Sequence, residues 1–424
     1  MRSPIPDYLA DVMTACAPDE GGQVADYIPE LAAVDPDQFA LCLTTVDGAI
    51  HEAGDSGAHF TIQSISKPFV YALAIQELGL DAVLAKVDVE PSGEAFNELS
   101  LEEGSGRPLN PMINAGAIVT HTLAGPPADR FDRVLAGLSA FAGRPLDVDE
   151  SVYASEAATA FRNYAIANML RGHGTITEDP AAVVHGYTRQ CAIRVTTKDM
   201  ALMAATLANG GVHPITEEEV VDDAVVRQVL SVMTTCGMYD AAGDWLTTVG
   251  IPAKSGVSGG LIGALPGQVG IAAFSPRLDE HGHSVRGEDV FRRLSRDMEL
   301  HMMNAAQPAR ATIRRTHTVR HAEGGDARVY ALHGSIQFAG AERLLRDLVS
   351  RADELPTELV FDLSDVHAIN ATARRMILEV IRRLTLEGHH VTLVDPGATL
   401  PEPDSGSGVR PDVVGSVGEV SRTA

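Results

Sequence analysis

Ile62-Gln63-Ser64-Ile65-Ser66-Lys67-Pro68-Phe69-Val70-Tyr71 is the stretch on which the fold turns. Ser64 and Lys67 are three residues apart, and an amphipathic run follows up to Gly79. Residues three apart on a helix share a face. A helix over 63–79 therefore brings a hydroxyl and an amine together at its N-terminus, where the helix dipole favours negative charge. A serine becomes nucleophilic when a neighbouring base takes its proton, and a lysine with a depressed pKa can be that base. Pro68 is tolerated in the first turn, because its missing N–H is one that has no helical acceptor anyway. The spacing also describes many surface serines and lysines, so the assignment rests on the rest of the chain.

Lys254-Ser255-Gly256 is the second element. It ends a predicted strand and leads into Val257-Ser258-Gly259-Gly260. A Ser-x-x-Lys helix with a downstream Lys-Ser/Thr-Gly strand resembles the layout of serine β-lactamases and penicillin-binding proteins. The chemistry asks for that layout. A strand edge offers one backbone N–H to the substrate carbonyl oxygen, and the serine's own N–H completes the oxyanion hole. Glycine at 256, 259 and 260 lets the backbone approach closely. Taken alone, the same segment reads as a Gly-rich turn.

The 424 residues suggest two or three domains. Net charge is −24, from 33 basic and 57 acidic residues. That argues against nucleic acid or an anionic membrane as partner. The four lysines are Lys67, Lys86, Lys198 and Lys254, and two of them fall in the motifs above. Arginine cannot replace them as a base, because it does not deprotonate. Cys16, Cys42, Cys191 and Cys236 are scattered, with no Cys-x-x-Cys pair. They read as reduced thiols, and neither a zinc cage nor a redox motif is expected. The N-terminus shows no apolar signal region and no apolar run is long enough to span a bilayer. The expectation is a cytoplasmic protein with no membrane partner.

Along the chain, 5–17 reads as a helix, and 39–46 and 49–52 as strands around the Asp47-Gly48 turn. From Leu80 to about Ile215 the pattern is mainly helical. Val249–Lys254 and Leu261–Phe274 read as strands broken by Gly and Pro, and Gly287–Asn304 as a closing helix. Strands at both ends of a helical block predict one sheet built from both ends, with a helical region inserted. The composition shifts near Ala305, and a basic, Pro-containing stretch reads as a linker over 307–322. Alternating strand and helix patterns then fill 323–400: strands at 328–332, 358–363 and 391–394, helices at 339–352 and 371–387. The Gly/Ser/Pro/Asp-rich tail over 401–424 reads as disordered.

Several polar segments lie inside the helical block: Asn110–Ala117, Glu156 with Asn163 seven residues on, Tyr187–Cys191 and Cys236–Asp240. Glu156 and Asn163 would project on nearly the same side of one helix. Taken singly, these are capping asparagines and half-buried tyrosines. Together with Val24–Pro29, Ile62–Lys67, Glu90–Gly93, Ala208–Gly211 and Lys254–Gly260, in this order, they resemble the bacterial and mitochondrial-type glutaminases. The resemblance spans about 7–304. It implies an α+β fold: a β-lactamase-like domain over 1–306, with an antiparallel sheet flanked by helices and a helical subdomain. It implies that Ser64 attacks the side-chain amide of L-glutamine, that Lys67 accepts the Ser64 proton, and that Tyr239 shuttles a proton to the leaving ammonia. The Ser64 and Val257 N–H groups would hold the oxyanion. Tyr27, Asn114, Glu156, Asn163 and Tyr187 would surround the α-amino and α-carboxylate groups. Glu156 suits an ammonium as a charge-assisted partner, and asparagine and tyrosine suit a carboxylate. No metal or organic cofactor is implied, and a homodimer or homotetramer is. Lys86, Lys198, His121, His173 and His185 fall outside this set.

The second unit resembles a STAS domain, a small α/β fold. The match runs from Arg328 to Asp395 and is carried by Leu359–Ser364 with Val366–Ala373. Regulatory members place an aspartate and then a phosphorylatable serine at the head of that helix. Here Asn370 and Ala371 stand there, and Thr372 is displaced by one position. The resemblance therefore implies a structural or docking module, with a protein partner, rather than a phosphate switch. Two other functions compete. A β-lactamase or D,D-peptidase-like acyl enzyme shares the serine and lysine motifs but would not need Glu156 against an ammonium. A glutamine-sensing signalling protein would not need a nucleophile.

Overall fold

The computed structural model describes residues 5–93, 100–102, 104–304, 312–320, 325–404 and 408–420. The chain divides into two compact units, Met1–Asn304 and Ala305–Ala424. In the first unit the strands are β1 (Ala40–Thr45), β2 (Ile50–Gly54), β3 (Phe60–Thr61), β4 (Asp147–Val148), β5 (Ile193–Val195), β6 (Ala253–Ser255), β7 (Gly260–Leu265) and β8 (Val269–Phe274). The main sheet runs β2-β1-β8-β7-β6, antiparallel throughout. Its centre joins β1 to β8, so both ends of the segment build one sheet, with Ala40 opposite Phe274 and Thr45 opposite Val269. The stretch 261–274, read as strand broken by Gly and Pro, is two strands on either side of a turn at Pro266-Gly267, where Gly267 holds a φ of 72°. A small sheet, β3-β5-β4, ties the approach to Ser64 to the helical block.

Two layers of apolar side chains sandwich the main sheet. The Thr197–Ala208 helix packs on one face together with Ser66–Leu78. The Ile5–Cys16 and Val285–Asp297 helices cover the other. Burial of Phe69, Val70, Tyr71, Ala72 and Ile75 corrects the amphipathic reading of the helix after Ser64. That helix is central and enclosed on nearly all sides, so its polar groups Ser66 and Lys67 are buried with it. It also begins later than the sequence suggests: Gln63–Ile65 is a 3-10 turn, and the α-helix is Ser66–Leu78, closed by Gly79 at a φ of 83°. The closing helix ends at Asp297 rather than Asn304.

The second unit has one sheet, with β9 (Ile313–Arg320), β10 (Asp326–Ile336), β11 (Glu358–Ile369), β12 (His390–Val394) and β13 (Asp412–Val414) in the order β13-β12-β11-β10-β9. Only the β9–β10 pair is antiparallel. The Phe338–Ser350 and Ala371–Leu386 helices share their core with Tyr330, Phe361 and Leu393. Two boundaries move. Residues 313–320, read as linker, form β9, whose alternation of half-buried and exposed residues suits a sheet edge; 307–311 and 321–322 lie outside the described residues. In the tail, 412–414 pair with β12, and the Val417–Val420 turn buries Val420 beside Ala327 and Val394. The remaining tail residues 405–407 and 421–424 lie outside the described residues. Asn370 caps the Ala371–Leu386 helix by accepting from the Ala373 N–H at 2.8 Å.

Candidate active site

Ser64 lies in the 3-10 turn at the entrance to the central helix, 9% exposed. Gln63, just before it, holds a φ of 50°. A side chain other than glycine in that region is strained, and such strain persists only where packing over-determines it. The packing here is tight: a Cβ on Gly260 would stand 2.8 Å from Ile65 Cδ1, and one on Gly256 would stand 3.2 Å from the Ile62 carbonyl oxygen. Gly256, just after β6, and Gly260, which opens β7, thus let the strand edge close onto the Ser64 turn.

Lys67 is fully buried on the first turn of the helix. Burial disfavours its charge and lowers its pKa to about 7. Its Nζ donates to Asn114 Oδ1 at 2.7 Å. Asn114 opens the Asn114–Leu123 helix, donates Nδ2 to Asn163 Oδ1 at 3.1 Å, and accepts from the Tyr187 hydroxyl at 3.4 Å. Lys254, also fully buried, is driven well below the ordinary lysine range by desolvation and by the nearby Lys67. Its Nζ lies 3.8 Å from the centroid of the Tyr239 ring, and Lys67 Nζ lies 5.7 Å from it. Lowered pKa values at both amines reduce the charge repulsion between them beside this one ring.

Tyr239 has a φ of 53°, a second strained backbone in the same small site. Burial raises its pKa, and a hydrogen bond with Ser64 works against that rise. The phenol stays protonated at neutral pH. Its ring stacks on that of buried His283, with centroids 6.0 Å apart. The Tyr239 hydroxyl thereby meets Ser64 while its ring lies beside both lysines.

A cavity of about 90 Å³ is lined by Tyr27, Gln63, Ser64, Asn114, Glu156, Asn163, Tyr187, Thr188, Cys191 and Val257. Glu156 Oε1 accepts from the Tyr27 hydroxyl at 2.7 Å and from Gln63 Nε2 at 3.1 Å. Burial nevertheless raises its pKa, and those two hydrogen bonds oppose the rise. Tyr27 is 46% exposed as a residue, yet its hydroxyl end points inward. Burial and the Glu156 charge raise that phenol's pKa. Val257 follows β6, and its N–H meets no acceptor among the described residues.

Of the residues singled out from sequence, Tyr27, Ser64, Asn114, Glu156, Asn163, Tyr187 and Val257 line this one cavity. Lys67 and Tyr239 stand behind it, bonded to Asn114 and Ser64 respectively. Glu156 and Asn163 arrive differently from the expectation. They lie on two consecutive helices, Glu150–Thr159 and Phe161–Gly172, broken at Ala160. Sequence reading passed over Gln63, Thr188, Cys191 and Lys254 as site residues. Gln63 adjoins Ser64. Thr188 and Cys191 are one and four residues past Tyr187, and four residues on a helix return to the same face. Lys254 was visible as a scarce lysine in a recognised motif. Lys198 pairs with Glu52 at the surface, and His185 sits between Tyr153 and Tyr164.

A glutaminase family model matches residues 22–303, and a STAS domain model matches residues 318–403. The chain is 49% identical over 406 residues to a glutaminase of Corynebacterium glutamicum, covering 95% of this chain and 97% of that relative. Among solved structures it is similar to a crystal structure of Mglu, with a TM-score of 0.88 at 48% identity, over 94% of this chain and 100% of that one. A structure of Mglu in its glutamate form gives 0.86 at 44% identity, with coverages of 94% and 100%. With the family model spanning nearly the whole first unit, and a relative almost half identical along nearly its full length, the chain belongs to the glutaminase family.

Proposed function

We propose that this chain hydrolyses the side-chain amide of L-glutamine to L-glutamate and ammonia through a Ser64 acyl-enzyme. The carrying observation is one small cavity in which a serine and an acidic residue face the same space, with a lysine whose pKa burial lowers to about 7 one turn behind the serine. Lys67 takes the Ser64 proton as Ser64 Oγ bonds to the amide carbon. The oxyanion is held by the Ser64 and Val257 N–H groups. The C–N bond then breaks, Tyr239 hands its proton to the departing ammonia, and Lys67 restores it. Water next attacks the ester carbon as Lys67 accepts its proton; the bond from that carbon to Ser64 Oγ then breaks, Lys67 returns the proton to Ser64 Oγ, and glutamate leaves. Glu156 pairs with the substrate's α-ammonium. Asn114, Asn163, Tyr27 and Tyr187 supply the remaining polar contacts around the α-carbon. The Mglu relative solved in its glutamate form supports an amino acid of this shape as the ligand class.

The catalytic unit is assigned to residues 1–306, a cytoplasmic homodimer or homotetramer, and the STAS unit to docking of a protein partner. No helix among the described residues is long and apolar enough to cross a membrane. The deciding experiment measures ammonia and glutamate release from L-glutamine. Ser64→Ala is expected to abolish release with the melting temperature retained, and unchanged turnover would end the mechanism. Light scattering of the full chain reads the oligomeric state.

A further inference from the structure

We propose that Ser66, Gln190 and His121 form a buried positioning relay that aims the Ser64 N–H at the reacting carbonyl oxygen; this rests on the assignment of Ser64 as nucleophile and oxyanion donor. Ser66 Oγ lies 2.8 Å from the Gln63 carbonyl oxygen, Gln190 Nε2 lies 2.9 Å from Ser66 Oγ, and His121 Nδ1 lies 2.9 Å from Gln190 Oε1. Ser66 and Gln190 are fully buried and His121 is 1% exposed. The polarity of the chain is fixed from one end. A carbonyl oxygen only accepts, so Ser66 must donate to it. Ser66 then accepts from the Gln190 amide nitrogen, which turns the Gln190 oxygen to His121. His121 must carry its hydrogen on Nδ1. Burial lowers the His121 pKa to about 4, so the ring is neutral and keeps that one tautomer. The Cys191 thiol also interacts with Ser66, but burial holds it protonated, with its pKa pushed up to about 12.

The relay ends on the one peptide unit that matters. The Gln63 carbonyl and the Ser64 N–H belong to a single planar group and point in opposite directions. Gln63 O accepts from both the Ser66 hydroxyl and the Ser66 N–H. Holding that oxygen fixes the direction of the Ser64 N–H, and hydrogen bonds to the oxygen strengthen the N–H as a donor. They also give a source of restraint for the φ of 50° at Gln63. The relay joins three elements that carry cavity residues: the 63–65 turn, the Asn114–Leu123 helix with His121, and the Pro180–Cys191 helix with Tyr187 and Gln190. None of Ser66, Gln190 or His121 lines the cavity, so their effect on chemistry passes through the backbone at Ser64.

The test compares wild type, Ser66→Ala, Gln190→Leu, the double variant and Ser64→Ala in the full chain, with L-glutamine as substrate and L-glutamate as product inhibitor. Loss of an aimed oxyanion donor should lower kcat roughly 10- to 100-fold. The KM for glutamine and the inhibition constant for glutamate should stay within about threefold, because ground-state binding does not use the developing charge. The double variant should be no worse than the poorer single one, since the groups act as one chain. Ser66→Ala removes only a hydroxyl and keeps the test available if Gln190→Leu fails to fold. Wild-type kcat in folded Ser66→Ala would overturn the relay, and so would a parallel loss of kcat and glutamate affinity. Turnover by Ser64→Ala would overturn the underlying serine assignment instead.

Discussion

At the scale of single residues, the site depends on what burial does to charge. Among the described residues Lys67 has no ion-pair partner to hold its proton, and desolvation brings its pKa to about 7. A base must be unprotonated to accept the serine proton, so kcat/KM should fall about tenfold for each pH unit below about 7. A pH–rate profile from 5 to 9 checks this, and an acid limb at ordinary carboxylate values would contradict it. Stability carries the same sign. The folded lysine releases its proton near 7, the unfolded one near 10.4. Between those values the unfolded chain binds more protons, so stability should rise with pH across that window, while the penalty is fully present below 7. Lys67→Arg should be inactive, because guanidinium does not deprotonate. Glu156 poses the reverse problem, a carboxylate kept in a buried pocket by Tyr27 and Gln63. Glu156→Gln should raise KM for glutamine about tenfold or more by removing a charge-assisted partner. Steady-state kinetics would show it, and an ordinary KM would remove Glu156 from ammonium binding.

Elements matter through how closely they approach one another. Gly256 and Gly260 let the β6–β7 edge approach the Ser64 turn, where a Cβ would crowd Ile62 and Ile65, and Gly259 packs on the far side against Ser275. Gly259 has a φ of 96°, and a Cβ there would stand 2.4 Å from the Ser275 carbonyl oxygen. Gly259→Ala combines a disfavoured backbone region with a backbone collision. It should cost roughly 1–3 kcal/mol of stability and lower kcat by displacing Val257, two residues before it. Thermal melts and kinetics on one preparation read both effects. A variant with wild-type melting and kcat would show that the turn is looser than its contacts indicate. The helix break at Ala160 is a similar device. It lets Glu156 and Asn163 enter one cavity from two helices rather than along one face.

Over the whole molecule, each unit has its own apolar core, the first around Phe69, Phe141 and Ile262, the second around Tyr330, Phe361 and Leu393. A chain ending at Asn304 keeps every cavity residue. It should therefore retain kcat/KM within about threefold, a range typical of unperturbed packing at a distance. An insoluble or inactive product would make the second unit part of the catalytic assembly. The two motifs around Ser64 and Lys254, the strand–helix–strand order and the alternating second unit were legible in the residues, because hydrophobic periodicity and turn chemistry act locally. Nothing local says that the helix bearing Lys67 is enclosed on nearly all sides or that 313–320 pair with β10. Those follow from which surfaces meet. Residue order alone points to Ser64 with Lys67 three positions on and carries the resemblance to the glutaminases, since motif order and spacing are written in the covalent chain. That burial lowers the Lys67 pKa to about 7, that Lys254 stands beside Tyr239, and that a chain of buried hydrogen bonds reaches Gln63 emerge only in the folded chain. Desolvation and contacts between distant segments exist only once the chain has folded.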